Sequence, residues 1–272
     1  MSGPLFVGVD VGSSATKCVV IDRSLTLLGH HVIGSGLDYA QAAGAALREA
    51  LRGADALEAD IRYCVATGYG RERVARADRH VTEITCHARG ARQWYPEVRN
   101  IIDIGGQDTK VIRLGESGRM IDYRMNAKCA AGTGTFLEST AHKLGLTMEA
   151  LDDLAMVSVQ RAVINSYCTV FAGTEVIERI KEGQPPQDIA MGLFRSIASR
   201  VTEMLPLHGG SVATTGGVAQ HCRALIRALE EALETQVLLP PMPQHAGAFG
   251  AALLAAEDEA AERSSTSHVA KR

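Results

Sequence analysis

The sequence predicts an α/β protein in which one β-β-β-α-β unit occurs twice. Three short β segments, separated by turns that contain Gly, Ser and Asp, open the chain of 272 residues at 5–11, 16–21 and 25–33. The same order restarts near residue 100, with β segments at 100–104, 110–114 and 120–125. A motif shared by the two restarts supports the interpretation as an internal duplication.

The remaining elements follow from hydrophobic spacing. An Ala-rich segment with apolar residues at helical spacing predicts a helix at 39–51, and a short apolar run predicts a strand at 63–66. The second half is more helical, with helices expected at 133–144, 171–181, 189–205, from after the Gly216-Gly217 turn to about 234, and at 245–262. Two further strands are expected at 211–215 and 236–239.

These elements divide into two predicted halves. The N-terminal half is residues 1–98 with the C-terminal helix at about 245–262, and the C-terminal half is 99–244. The polar tail at 264–272 is expected to be disordered.

The composition excludes several classes of protein. Hydrophobic residues make up 46% of the chain and charged residues 22%, which is typical of a globular protein rather than a disordered one. The net charge of −3 argues against a nucleic-acid partner. The longest uncharged stretch, 235–256, contains three prolines and is no membrane helix. The N-terminus lacks a basic segment, so we expect no signal peptide and a cytoplasmic protein.

The shared motif is D-x-G-x-x-x-T-K, which runs from Asp10 to Lys17 and again from Asp103 to Lys110. In each copy an Asp ends a strand, and the Gly two residues later lets the backbone approach a ligand. Successive N–H groups in the turn would then form an anion site for nucleotide phosphates.

The polar side chains of these hairpins suggest catalytic roles. We expect Asp10 and Asp108 to orient Mg²⁺ through its waters, and Gln107 to position the attacking water. The alternative is a pair of ordinary hairpins whose Asp residues cap the turns.

A third glycine-containing turn fits the same ligand. Gly216 and Gly217 follow the predicted strand at 211–215 and precede a helix. The chain has neither a P-loop motif nor G-x-G-x-x-G after a strand. The two hairpins and this turn together resemble the actin, Hsp70 and sugar-kinase ATPase fold (ASKHA). That resemblance implies two ribonuclease-H-like domains with ATP between them.

Two of the six cysteines suggest a metal centre. Cys129 and Cys168 each precede a predicted helix, whose N-terminus would lower the pKa of a thiol, and the chain has no C-x-x-C pair. Two thiolates are too few for an iron–sulfur cluster, which normally takes four. A two-fold homodimer would supply the other two from the second copy. Buried free cysteines and a structural Zn²⁺ at the two-fold axis are the alternatives.

The wider sequence resembles the BadF/BadG/BcrA/BcrD-type ATPases, which activate 2-hydroxyacyl-CoA dehydratases or drive ATP-dependent benzoyl-CoA reductases. The matching stretches are 66–71, 86–88, 103–110, 126 with 128–134, 168–171 and 215–220. The resemblance implies that Cys129 and Cys168 ligate one [4Fe–4S] cluster shared across a dimer. ATP turnover would deliver a low-potential electron to a CoA-ester dehydratase or reductase, with reduced ferredoxin or flavodoxin as the donor.

The resemblance also implies the remaining site residues. Those expected to bind the nucleotide are Gly12, Ser13, Ser14, Lys17, Asp103, Gly105, Gly106, Gly132, Gly134, Gly216 and Gly217. A heterodimer with a related ATPase subunit is the alternative to a homodimer. Ala127 departs from the family, which usually has an Asp at this position.

The other cysteines carry smaller expectations. We expect Cys18 and Cys64 to lie in the core and Cys222 to be a surface or packing residue. Cys86 and His87 are adjacent on a predicted helix and would not share a metal ion.

The alternative function is a small-molecule kinase of the same fold, such as a sugar or amino-sugar kinase. Such a kinase needs an Asp base, and no candidate stands out beyond the hairpins.

Overall fold

The computed structural model describes residues 3–127, 129–130, 132–160, 162, 164, 169–204 and 209–269, without the side chains of 169–170 and 265–269. The chain divides into two compact units. Unit 1 comprises Met1–Pro96 and His245–Arg272, and unit 2 comprises Glu97–Gln244.

The described residues form ten strands and nine α-helices. The strands are β1 (Leu5–Val11), β2 (Ala15–Ile21), β3 (Leu27–Gly34), β4 (Ile61–Thr67), β5 (Arg79–His80), β6 (Val98–Ile104), β7 (Thr109–Leu114), β8 (Met120–Asn126), β9 (Ser211–Thr215) and β10 (Val237–Leu238). The helices are α1 (Tyr39–Gly53), α2 (Glu83–Trp94), α3 (Gly134–Lys143), α4 (Met148–Met156), α5 (Thr169–Lys181), α6 (Pro186–Met204), α7 (Gly217–His221), α8 (Arg223–Leu233) and α9 (Ala246–Val269).

Each unit contains one five-stranded mixed sheet, and the two sheets have the same strand order. The order is β3-β2-β1-β4-β5 in unit 1 and β8-β7-β6-β9-β10 in unit 2. In both sheets the first three strands along the chain are antiparallel neighbours, and the two later strands run parallel to the central one. The predicted β-β-β-α-β order is therefore present twice.

Burial on both faces explains the composition of the central strands. Every residue of β1 is buried, and in β6 all but Arg99 are buried. Such strands are near-continuous apolar runs rather than alternating ones. Asp10 and Asp103, each one residue before the end of its strand, are buried carboxylates in these strands, which makes them candidates for a functional role.

Helix α9 packs tightly in unit 1 because glycines face it from two directions. A Cβ at Gly8 of β1 would lie 2.0 Å from the carbonyl oxygen of Ala248. A Cβ at Gly90 of α2 would lie 2.1 Å from the carbonyl oxygen of Ala246. These backbones can approach so closely because no side chain separates them.

The structure departs from the predicted elements at several points. The helix expected from after the Gly216-Gly217 turn to about 234 is divided at Cys222 into α7 and α8, and neither β5 nor α4 was predicted. Helix α9 continues to Val269, so the tail expected to be disordered from Ser264 is helical as far as that residue. The reason is a run of helix-forming Ala and Glu residues with no Gly or Pro to end it.

None of the described residues belongs to a helix with the length and hydropathy needed to cross a membrane.

We expect Gly90→Ala to lower the free energy of unfolding by about 1–3 kcal/mol, because the new methyl group would overpack the contact between α2 and α9. Urea unfolding followed by circular dichroism measures this change. Gly44→Ala is the matched control, since Gly44 lies in α1 and a Cβ there would meet only the flexible end of Arg48. The control should be neutral or stabilising by up to about 1 kcal/mol. Equal midpoints for the two variants would contradict the close packing.

Candidate functional site

In both D-x-G-x-x-x-T-K hairpins the motif's lysine lies opposite its aspartate. In unit 1 Asp10 pairs in register with Lys17, and the Lys17 Nζ lies 3.2 Å from the Asp10 Oδ2. In unit 2 Asp103 pairs in register with Lys110, again with 3.2 Å from Nζ to Oδ2. Both aspartates are buried. The duplicated sequence therefore forms the same buried ion pair twice.

The turns of the two hairpins are closed in the same way. The Gly12 N–H donates to the Ala15 carbonyl at 3.1 Å, and the Gly105 N–H donates to the Asp108 carbonyl at 2.9 Å. A Cβ at Gly105 would lie 2.6 Å from Asp108 Oδ1, which explains the requirement for glycine. Gln107 is exposed in this turn, so its amide is free to reach a ligand from solvent.

Lys110 joins the two acidic residues of the second hairpin. Its buried Nζ lies 3.2 Å from Asp103 Oδ2 and 2.9 Å from Asp108 Oδ2. The cation lies between the two carboxylates and offsets their mutual repulsion. The Asp108 side chain is partly exposed, in contrast to the buried Asp103.

A second duplicated feature, not predicted from the sequence, is a Thr-Gly pair beside each aspartate. The parallel strands place Thr67 opposite Asp10 and Thr215 opposite Asp103. The glycine that follows has a positive φ in both cases, 88° at Gly68 and 99° at Gly216. A Cβ at Gly68 would lie 2.4 Å from Asp10 Oδ1, and one at Gly216 would lie 2.9 Å from Asp103 Oδ1. Each aspartate carboxylate therefore packs directly against the backbone of a glycine.

The predicted Gly216-Gly217 turn is part of this arrangement in unit 2. The Gly216 N–H donates to the carbonyl of Pro243 at 2.9 Å, and Gly217 begins α7. The Thr215 hydroxyl donates to Asp103 Oδ1 at 3.1 Å. The turn thus lies directly beside the second hairpin, where paired glycines leave room for a ligand.

The loop between β8 and α3 is tied to the second hairpin by hydrogen bonds. The Gly134 N–H donates to the Gly105 carbonyl at 2.9 Å, and the Thr135 N–H donates to the Gly106 carbonyl at 2.8 Å. The Thr109 hydroxyl also donates to the Gly132 carbonyl. Gly132 and Gly134, which were predicted to bind nucleotide, therefore contact the hairpin through their backbones.

Cys129 lies in this loop and is exposed. Its carbonyl accepts a hydrogen bond from Asn126 Nδ2 at 3.0 Å, which anchors the loop to the end of β8. The expectation that Cys129 immediately precedes a helix is wrong, because α3 begins only at Gly134. A helix terminus therefore does not act directly on this thiol. Cys168, which directly precedes α5, lies outside the described residues.

The other four described cysteines are buried, unlike Cys129. Burial raises the pKa of the Cys64, Cys86 and Cys222 thiols to about 12, and that of Cys18 well above its usual value. These thiols stay protonated near neutral pH, and the thiolate is the form that binds metals. The predicted core positions of Cys18 and Cys64 are confirmed, and Cys222 is a packing residue.

The His, Cys, Asp and Glu side chains of the described residues can be compared with the ligands that the predicted metal cofactors need. Among the described residues, no three His, Cys, Asp or Glu side chains are grouped so as to hold a metal ion within one chain. An exposed thiol at Cys129 fits a ligand set shared between two chains. The carboxylates of Asp10 and Asp108 are hard oxygen donors of the kind that Mg²⁺ prefers.

Comparisons with known proteins identify the family of this chain. The family model for the BadF/BadG/BcrA/BcrD ATPases matches residues 7–255. The 2-hydroxyisocaproyl-CoA dehydratase activator of Clostridioides difficile is 39% identical over 94% of this chain and 96% of its own length. The (R)-2-hydroxyglutaryl-CoA dehydratase activating ATPase of Acidaminococcus fermentans is 40% identical over 92% of this chain and 96% of its own.

The fold agrees as well. The crystal structure of the Acidaminococcus fermentans (R)-2-hydroxyglutaryl-CoA dehydratase component A superposes with a TM-score of 0.90 at 38% identity, over 95% of this chain and 100% of that one. This likeness confirms the predicted actin-like ATPase fold with two α/β domains. The enzyme class is that of an ATPase, and the chain belongs to the BadF/BadG/BcrA/BcrD ATPase family.

Proposed function

We propose that this protein is an ATP-hydrolysing [4Fe–4S] electron-transfer protein that delivers a low-potential electron to a CoA-ester dehydratase or reductase. The observation that carries the proposal is the position of Cys129. It is exposed, and its loop is hydrogen-bonded to the hairpin that holds Gln107 and Asp108. A thiol that could ligate a cluster thus belongs to the same hydrogen-bonded assembly as the candidate ATPase residues.

The hairpin residues have different roles in the proposed ATP hydrolysis. Gln107, exposed in the turn, positions the attacking water through its amide. Asp108, with Lys110 fixing one of its carboxylate oxygens, and Asp10 orient Mg²⁺ through its waters. The backbone N–H groups of the hairpin turns and of the Gly216-Gly217 turn bind phosphate oxygens.

The hydrogen bonds between hairpin and loop supply a route from nucleotide to cysteine. A movement of Gly105 and Gly106 toward a γ-phosphate displaces Gly134 and Thr135, because their N–H groups donate to those two carbonyls. The displacement reaches Cys129 through the loop, which Asn126 fixes at its other end. Nucleotide state would thereby alter solvent access to the sulfur atoms.

Cys129 and Cys168 of two copies would together provide the four thiolates that a [4Fe–4S] cluster takes. When bound, the cluster would accept and release one electron at a potential set by its hydrogen bonds and solvent exposure. A two-fold homodimer places the four thiols symmetrically, and a related second subunit could supply the same pair. Reduced ferredoxin or flavodoxin is the proposed donor, in the cytoplasm, where thiols stay reduced.

We expect Cys129→Ala and Cys168→Ala each to abolish cluster binding, because two thiolates per dimer are lost with each change. The measurement is iron content and visible absorbance after anaerobic reconstitution, with size-exclusion chromatography for the dimer. Cys222→Ala, which removes a buried thiol whose pKa burial raises to about 12, is the matched control and should keep its iron. A full iron complement in either of the first two variants rejects the cluster assignment.

We expect Gln107→Ala to lower kcat for ATP hydrolysis by about 100-fold, because the attacking water loses the group that orients it. The side chain is exposed, so the melting temperature should not change. Release of labelled phosphate from γ-labelled ATP measures the rate and also shows whether label enters a small molecule, as a kinase would require. Gln41→Ala, an exposed glutamine in α1, should behave like the unchanged protein. Hydrolysis at the original rate in Gln107→Ala would remove the assigned role.

A further inference from the structure

The threonine of the D-x-G-x-x-x-T-K motif joins each hairpin to the segment that follows the third strand of its unit. In unit 2 the Thr109 hydroxyl donates to the Gly132 carbonyl, beyond the end of β8. In unit 1 the Thr16 hydroxyl lies 2.9 Å from the hydroxyl of Ser35, the first residue after β3. Thr16 is 0% exposed and Ser35 is 2% exposed. The link in unit 1 therefore depends on a second buried hydroxyl.

A chain of hydrogen bonds runs from Thr16 through Ser35 to the turn of the first hairpin. The Ser35 hydroxyl donates to the Gly12 carbonyl at 2.6 Å. A serine hydroxyl has only one proton, so Thr16 is the donor in its contact with Ser35. The Ser35 backbone N–H also donates to the Ser14 carbonyl at 3.0 Å. One residue thus holds two carbonyls of this turn, and the linked hydroxyls strengthen each other's hydrogen bonds.

These bonds set the direction of the Ser13 N–H. The Gly12 carbonyl and the Ser13 N–H belong to one planar trans peptide, in which the two groups point in opposite directions. Because Ser35 holds this carbonyl, the Ser13 N–H points away from Ser35. Gly12 has no side chain, so without the bond this peptide could rotate at little cost. The second bond, to the Ser14 carbonyl, holds the turn on the other side of Ser13.

We propose that Ser35 is a positioning residue of the ATPase, whose hydroxyl keeps the peptide between Gly12 and Ser13 oriented so that the Ser13 N–H binds a phosphate oxygen of ATP. The inference rests on the proposed role of the first hairpin in nucleotide binding. An N–H group that is oriented in advance adds no ordering cost when the nucleotide binds. In unit 2 the corresponding carbonyl, that of Gly105, is held at 2.9 Å by the backbone N–H of Gly134. Only in unit 1 does this support come from a side chain that a substitution can remove.

The first test measures nucleotide affinity without turnover, by isothermal titration of the full chain with a non-hydrolysable ATP analogue and Mg²⁺. Ser35→Ala should raise Kd by about tenfold, whereas Ser35→Thr, which keeps the hydroxyl, should stay within about threefold of the unchanged protein. Ser196→Ala is the matched control and should keep the original Kd, since Ser196 is another buried serine, whose hydroxyl donates to the Leu193 carbonyl in α6. An unchanged Kd in Ser35→Ala, or equal losses in the Ala and Thr variants, would overturn the positioning role.

The second test breaks the other link of the chain. Thr16→Val removes the donor to Ser35 and should raise the Kd of the analogue less than Ser35→Ala does. Combining the two changes should add little to the loss in Ser35→Ala, because the valine then removes a link that is already broken. Losses that multiply would overturn the hydrogen-bonded chain as the means of positioning.

Steady-state hydrolysis separates positioning from loss of structure. Ser35→Ala should raise KM for ATP by about tenfold with kcat within about twofold, because the Ser13 N–H binds phosphate before and during the reaction. Circular dichroism shows that the variant is folded at the assay temperature. A fall in kcat at an unchanged KM would overturn the assignment to phosphate binding. Failure of the proposed function would look different, since the unchanged protein would then bind no ATP analogue, or would bind it normally but hold no iron.

Discussion

The buried Asp–Lys pair at the end of each central strand is the constraint on which the site depends. A carboxylate near the end of a strand that is buried on both faces is costly to bury unless a cation and hydrogen bonds satisfy it. The antiparallel register supplies the cation, because Asp10 lies opposite Lys17 and Asp103 opposite Lys110. The sheet thus determines where these four charges lie, directly beside the glycine turns for which phosphate binding is proposed.

The sequence was sufficient to predict the repeated unit and its sheets, because buried strands and the D-x-G-x-x-x-T-K motif leave a strong local signal. It was insufficient for features that depend on contacts between distant segments. Thr67 and Thr215 are each followed by a glycine in the sequence. Their shared position opposite an aspartate, however, follows only from the register of the parallel strands. Gln107, Asp108 and the cysteines were found from pattern and resemblance, and their catalytic and ligand roles stay predictions.

Local rules also misplaced the environment of Cys129. The periodicity gave the helix start nearly correctly, but the residues just before it form a loop held by Asn126, Thr109 and the hairpin carbonyls. Hydrogen bonds between the backbones of loop and hairpin do not depend on residue type, so the sequence alone does not reveal them. Similarly, α9 extends further than a polar Ser-rich sequence suggests, since its alanines and glutamates favour helix and nothing terminates it.

Helix α9 has a further consequence for how the chain acquires its structure. Unit 1 consists of two separate segments, one from each end of the sequence, and its core includes α9 residues such as Ala248 and Leu253 packed with Phe6. A ribosome makes the beginning of a chain first. One face of β1 therefore stays uncovered while the whole intervening unit is synthesised, until the helix that covers it emerges. Until that moment the nascent sheet exposes apolar surface, and premature termination in the last thirty residues or so would leave it uncovered.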